Sequence, residues 1–248
     1  SENALAGKDI DKMTFIGYDA CLMGVADIAS VNASYYDYMV ASEESEPGKG
    51  WDYTTFLNTL YSKKANTKSN VESILDKICS SFVIENCDND GCGQYYPGYG
   101  YYYCYSTLAV YDLSKMDTLV SAFETYATNI KKISGYYSKI VSAFSSNSNY
   151  VFGEGLYGTC DFIKFLGAMD SKFSSVSSTN LRSAINSLVI AKYNCDEYDF
   201  TPCGIWAFVP EAIGEDASYY GLQCSEDDYT GAYASKFSTW QSMMLANW

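Results

Sequence analysis

Asp19 and Cys21 stand two residues apart in the run MTFIGYDACLMG (13–24), a carboxylate and a thiol at the close of an apolar stretch. On an extended backbone, residues two apart point to the same side, roughly 7 Å from one another. That offset suits a thiolate attacking a carbonyl while a carboxylate receives the cationic end of the preceding side chain. A cysteine between a strand and a helix also gains from the helix N-terminal field, which raises its thiolate fraction. The bland readings are a structural cysteine at a strand end and an aspartate that caps the following helix. The wider pattern has to decide.

The flanking elements place this pair. Met13 to Tyr18 (MTFIGY) reads as a buried strand, and apolar residues from Met23 to Val31 predict a helix ending near Ser34. Tyr38 to Ala41 (YMVA) is a second buried strand, leading into the acidic loop SEESEPGKGW. Val71, Ile74, Leu75, Ile78, Phe82 and Val83 keep helical spacing. Tyr103 to Tyr111 is a third strand, followed through a capping-box-like Ser114 and Asp117 by a helix near 115–131. Further amphipathic segments fall near 160–169, 180–191 and 232–244, with a strand at Ile205 to Val209. Alternating strands and helices predict an α/β fold with a largely parallel sheet, and function then collects beyond the carboxyl ends of the strands, where Cys21 lies. A soft boundary near 112 separates a nucleophile-bearing part (1–112) from a mostly helical region packed on it (113–248). QYYPGYGYYY (94–103) reads as a compositionally biased surface loop.

Composition narrows the classes. The 248 residues are 48% hydrophobic and 19% charged, enough for a substantial core. A net charge of −14 argues against nucleic acid and would attract basic peptides. No apolar run approaches the roughly 20 residues that span a bilayer. The chain starts at Ser1 with no basic-then-apolar leader, which reads either as a processed start or as the boundary of an excised piece. Nine cysteines, an odd number, predict a disulfide framework with Cys21 as the one free thiol, hence an oxidising compartment. Cys87 with Cys92, and Cys195 with Cys203, flank turns and read as local bridges, two among the roughly 105 pairings that eight cysteines allow and that sequence does not choose between. Zinc is the weaker reading, since there is no C-x-x-C pair and no histidine.

The stretch GYDACLMGVADIASVNASYYDYMVASEESEPGKGW resembles the clostripain family of bacterial cysteine endopeptidases, relatives of gingipains, legumains and caspases. STLAVYDLS, GTCDFIKFL, GIWAFVP and YASKFSTWQSMML are similar to that family's later segments. The resemblance implies a caspase-like α/β/α sandwich, a Cys–His dyad and cleavage after Arg or Lys. Cys21 matches the family nucleophile and Asp19 the carboxylate at the floor of the S1 pocket. The family histidine has no counterpart, because the chain contains none. The resemblance therefore implies a heavy chain whose His comes from a light chain of the same precursor, cut by the enzyme itself, in a secreted bacterial protease. Acyl transfer would then use the upstream His as base, with the Cys21 backbone N–H stabilising the oxyanion. The alternative of another class is an inactive peptidase-like module that binds or adheres.

Glu43, Glu44 and Glu46 are candidates for the mouth of a basic-residue pocket, and Trp51 for its wall; ordinary solvated acidic residues are as good a reading for each glutamate alone. Gly24 is read as the position that lets the helix pack closely. Asn86, Asp88, Asp90 and Gly91 echo the start of an EF-hand loop, but the twelfth position falls on Pro97. Glu226, Asp227 and Asp228 are a second acidic cluster. No cofactor is needed for the chemistry. Calcium stays open through Asp88 and Asp90, because clostripain is calcium-activated.

Overall fold

The computed structural model describes residues 12–86, 93–96, 100–103, 106–145, 159–194, 202–208 and 236–245. Four strands form the central sheet: β1 (Met13–Gly17), β2 (Tyr36–Ala41), β5 (Thr107–Asp112) and β7 (Val189–Asn194), in the order β1-β2-β5-β7. β1 and β2 run parallel, with Phe15 opposite Tyr38 and Ile16 opposite Met39. The other two contacts are antiparallel, pairing Val40 with Val110 and Val110 with Ala191. The expected largely parallel sheet is thus mixed. β5 runs antiparallel to β2 and β7 to β5, and the first half of β7, residues 189–191, falls in the stretch expected to be helical over 180–191. The Val-Ile start of β7 follows helical residues so closely that the change of period is hidden.

Strand alternation splits the core in two. Met39, Ala41, Ala109 and Tyr111 face one side and join the larger apolar cluster. That side is covered by helices α1 (Ala26–Asn32), α4 (Met116–Lys131), α6 (Phe162–Lys172), α7 (Thr179–Leu188) and α8 (Ser238–Leu245). Phe123 of α4 is its aromatic hub, set edge-on to Phe162, Phe237 and Trp240 at centroid distances of 5.6, 5.4 and 5.3 Å. Tyr38, Val40, Leu108 and Val110 face the other side, against Trp51 and the Val71–Leu75–Ile78–Phe82 stripe of α3 (Lys68–Asn86). The stripe repeats at three and four residues, as one buried face of a helix requires. Helices on both faces of a mixed sheet make the α/β/α sandwich.

Several local expectations change. α1 starts at Ala26 rather than near Met23, because a turn intervenes. The start after β5 is capped by Asp112, whose carboxylate accepts the Ser114 N–H, and a single 3-10 turn (Leu113–Lys115) precedes α4. The sequence stretch 94–103 contains a hairpin of β3 (Gly93–Tyr96) and β4 (Gly100–Tyr103), with Tyr95 opposite Tyr101. Helices α2 (Tyr53–Lys63) and α5 (Tyr136–Ser145) were not foreseen. A two-stranded pair, β6 (Thr159–Asp161) with β8 (Trp206–Phe208), completes the described elements. Among the described residues, no helix is long and apolar enough to cross a membrane.

The disulfide framework is overturned for three residues. Cys79, Cys160 and Cys203 are free, buried thiols. Cys79 lies in the apolar cluster beneath Trp51 and Phe82, where a thiol packs as a small hydrophobe. Cys203 is no half of a bridge to Cys195, since its thiol points to the Ile205 carbonyl at 3.0 Å. Burial raises the pKa of all three, which keeps them neutral and unreactive. Cys87, Cys92, Cys104, Cys195 and Cys224 lie outside the described residues.

Candidate active site

The nucleophile turn follows β1. Tyr18 extends the β1–β2 pairing by donating its N–H to the Val40 carbonyl, after which the chain leaves the sheet. Residues 20–22 form a bend and turn, so Asp19 and Cys21 do not share a strand face as expected. Leu22 has φ +61, a left-handed conformation that costs a non-glycine residue energy and must be held by its surroundings. What holds it is the loop after β2. The Leu22 N–H donates to the Glu44 carbonyl at 3.1 Å and the Gly24 N–H to the Ser42 carbonyl at 2.6 Å. A Cβ on Gly24 would lie 2.7 Å from the Tyr111 hydroxyl and 2.8 Å from the Ser42 backbone, so only glycine fits this crossing. The close approach is of the turn rather than of the helix.

Cys21 is exposed, the only exposed free thiol among the described residues. Its Sγ receives the Glu46 N–H at 3.2 Å. α1 begins five residues on and is only seven residues long, so the loop amide, not a helix terminus, is the polar group set against the thiol.

Asp19 is exposed and lies against the same loop from the other end. Its Oδ2 accepts the Tyr53 hydroxyl at 2.8 Å, and Gly50, at φ +65, leaves room for the carboxylate where a Cβ would sit 2.9 Å away. The Glu46 carboxyl meets Asp19 as well as the Trp51 Nε1–H, the latter at 3.4 Å. Burial, then the hydrogen bond to Asp19, push the Glu46 carboxyl up to about 9. Its Oε2 is buried with no donor among the described residues. A proton on Glu46, shared with Asp19, accounts for both facts, since two adjoining carboxyls cannot both ionise cheaply. Trp51 is buried, its indole resting on Gly17 where a Cβ would come within 2.7 Å of the ring. Asn86 of α3 closes the far side by donating to the Gly50 carbonyl at 3.2 Å.

Of the expected pocket residues, Asp19, Glu46 and Trp51 come together. The Glu44 carboxylate accepts the N–H of its own neighbour, Ser45, at 2.6 Å. Glu43 is fully buried, turned away from any pocket mouth toward Asp161, Cys203 and Gly204. Tyr53 is a member that sequence reading missed; its signal was its place two residues after Trp51 in the SEESEPGKGWDY stretch. Asp88, Asp90, Gly91 and the 226–228 cluster lie outside the described residues. Among the described residues, Glu43, Asp161 and Cys203 are the one acid–thiol group close enough to share an ion. They fit calcium poorly, which takes six to eight oxygens. The carboxylates already accept backbone N–H groups from Gly204, Cys203 and Lys164.

Among the described residues, one exposed thiol thus stands on a strained turn beside an acid pair at the edge of an α/β sheet, an arrangement a cysteine nucleophile could use. The clostripain family model (Peptidase_C11) matches residues 2–248, and the chain belongs to that family of cysteine peptidases. No curated protein sequence is detectably similar. Among solved structures, the chain is similar to a clostripain from Bacteroides thetaiotaomicron in complex with the peptide inhibitor BTN-VLTK-AOMK. The identity is 16% and the TM-score 0.60, covering 92% of this chain and 87% of that one. It is similar also to an inactive zymogen C11 protease from Parabacteroides distasonis (16%, TM-score 0.56, 85% and 57% covered). A third is a secreted C11 cysteine protease from Bacteroides thetaiotaomicron with an irreversible peptide inhibitor (16%, TM-score 0.56, 94% and 60% covered). The chain thus spans little more than half the length of the last two. At these identities the likeness establishes the caspase-like fold.

Proposed function

We propose that this chain supplies the nucleophile and the specificity pocket of a secreted endopeptidase that cuts after Arg or Lys. Its general base is a His carried by an upstream light chain of the same precursor. The observation that carries the reading is the convergence of Cys21 and Asp19 on Glu46, whose backbone N–H meets the thiol and whose side chain meets the carboxylate.

The reaction is acyl transfer. The His takes the Cys21 proton and the thiolate attacks the scissile carbonyl carbon. The Cys21 backbone N–H helps to hold the oxyanion. The amine leaves with the proton from the His, and water then hydrolyses the thioester. In the pocket, the P1 cation takes the place of the proton shared by Asp19 and Glu46. Two carboxylates side by side favour the forked guanidinium over ammonium, so Arg is preferred to Lys. The peptide BTN-VLTK-AOMK, bound to the related clostripain, ends in Lys ahead of its AOMK group, in keeping with a basic P1. Secretion is supported by the relative described as secreted.

The need for a separate base rests on composition, because the 248 residues include no histidine. A positioned base near neutral pKa contributes about 10²–10⁴-fold. The chain is expressed with and without its upstream segment and assayed on a fluorogenic Arg peptide, with intact mass under denaturing conditions. Turnover is expected only where a second, His-bearing polypeptide is present. Robust Cys21-dependent turnover by this chain alone would refute the two-part enzyme.

A further inference from the structure

The Ser42–Glu46 loop decides where the nucleophile stands. Three of its backbone groups grip the Cys21 turn: the carbonyls of Ser42 and Glu44, and the N–H of Glu46. The loop has little regular structure, so something else must fix its height. Two side-chain anchors do so. The Thr107 Oγ1 accepts the N–H groups of Glu43 and Glu44 at 2.9 and 3.2 Å and pairs with the Ser42 hydroxyl at 3.0 Å. The fully buried Glu43 side chain is the second anchor, its Oε2 accepting the Gly204 N–H at 2.8 Å.

Gly204 is a rigid abutment. Its φ is +89, and a Cβ there would meet Val189 at 2.9 Å and Ala109 at 3.0 Å. Its carbonyl accepts the Tyr111 hydroxyl. The neighbouring Pro202 carbonyl accepts Lys192 Nζ at 2.9 Å, and the Cys203 N–H donates to Asp161. The charged and titratable groups that act on Glu43 or feel its charge are Asp161, Cys203, Cys160, Tyr111 and Lys192. Burial first, and then the Asp161 charge, hold the Glu43 carboxyl well above the usual carboxylate range, so a neutral acceptor of the same length can replace it.

We propose that Glu43 is a positioning residue of the peptidase: clasped by Gly204, it holds the Ser42–Glu46 loop at the height that presents Cys21 for attack. This rests on Cys21 being the nucleophile, but not on where the base comes from. A misplacement of about 1 Å at a reacting group can cost 10²-fold in rate, so the anchor matters without touching substrate.

The test compares Glu43→Gln, Glu43→Asp and Glu43→Ala in the active enzyme, reading kcat and KM on an Arg peptide, with Tm. The rate at which iodoacetamide alkylates Cys21 in the same variants needs no histidine, so it separates this proposal from the two-chain reading. Glu43→Asp is one methylene short of Gly204; it and Glu43→Ala should lower kcat at least about 10-fold with KM within about 3-fold. Alkylation should slow at least about 3-fold as the Glu46 N–H moves off the sulfur. Glu43→Gln should restore both to within about 3-fold of wild type. If the Ala or Asp variant does not fold, Thr107→Val, which frees the loop from its other anchor, should show the same loss of kcat at constant KM. Folded Glu43 variants with lowered Tm but wild-type kcat and alkylation rate would overturn the proposal. So would a Gln variant as impaired as Ala, or a wild-type rate in Thr107→Val where that variant carries the test.

Discussion

Two groups of one thiol and two carboxyls lie on either side of the same loop. Cys21, Asp19 and Glu46 meet at the surface; Cys203, Asp161 and Glu43 meet in the interior. Their chemical inventory is identical, yet only the first keeps its thiol open to solvent. The interior group has its carboxylates committed to backbone N–H groups and its thiol raised by burial, so it holds structure together. The surface group keeps an exposed sulfur, a buried Glu46 oxygen with no donor among the described residues, and a carboxylate held by Tyr53 and its acid neighbour. Residue types alone do not make a site. Access and unmet hydrogen-bonding capacity do.

The comparison breaks most sharply at the two sulfurs. Cys21→Ala should abolish peptide turnover, a loss of at least about 10³-fold, as expected for a covalent nucleophile. Cys203→Ala should cost at most about 10-fold and register mainly as lowered Tm, measured by thermal unfolding. Comparable losses in kcat/KM would remove the distinction between the groups.

Next in size is the pocket carboxylate. Asp19→Asn should cut kcat/KM for Arg and Lys peptides by at least ~10²-fold while Tm barely moves, as when a desolvated charge loses its partner. Were Asp19 a helix cap, the same change would cost about 1 kcal/mol of stability or less and leave the basic preference intact. The seven-residue α1 begins at Ala26 with no side-chain cap, which favours the first outcome.

A smaller effect lies in pH. Glu46 is raised to about 9 in the folded chain from an ordinary value of 4.5. Between those values the folded state holds a proton that the unfolded chain has released, so this group's contribution to stability is full below 4.5 and is lost as pH rises toward 9. Glu46→Gln should therefore flatten the fall of Tm between pH 5 and pH 9. A cation entering the pocket should also expel the shared proton, so KM for an Arg peptide should fall as pH rises through this range. A Tm slope unchanged by the substitution would show that Glu46 is ionised in the empty pocket.

The least perturbing check counts thiols. Unreduced native protein should take iodoacetamide at Cys21 while Cys79, Cys160 and Cys203 stay protected. Denatured without reductant, those three should label fully, as free thiols must. Persistent protection of Cys203 after denaturation, mapped by peptide analysis, would restore the disulfide expected from the cysteine count.

The exposed thiol, its neighbouring carboxylate and the main elements of the sandwich were legible because each is written in contiguous residues. MTFIGYDACLMG carries its own strand and turn, the 71–83 stripe its own helix, and the alternation of Tyr38 to Ala41 its own buried strand. Other features depended on residues far apart in the chain. Strand β7 was hidden because its apolar start continues a helical pattern, and its antiparallel partner, β5, lies some eighty residues away. Glu43 and Glu46 sit three residues apart in one acidic stretch, and nothing local tells them apart. Tertiary packing alone turned the first inward to Gly204 and set the second between Cys21 and Asp19. The same packing left Cys203 a free thiol, since burial against Glu43 and Ile205, and not cysteine count, decides what a sulfur can reach.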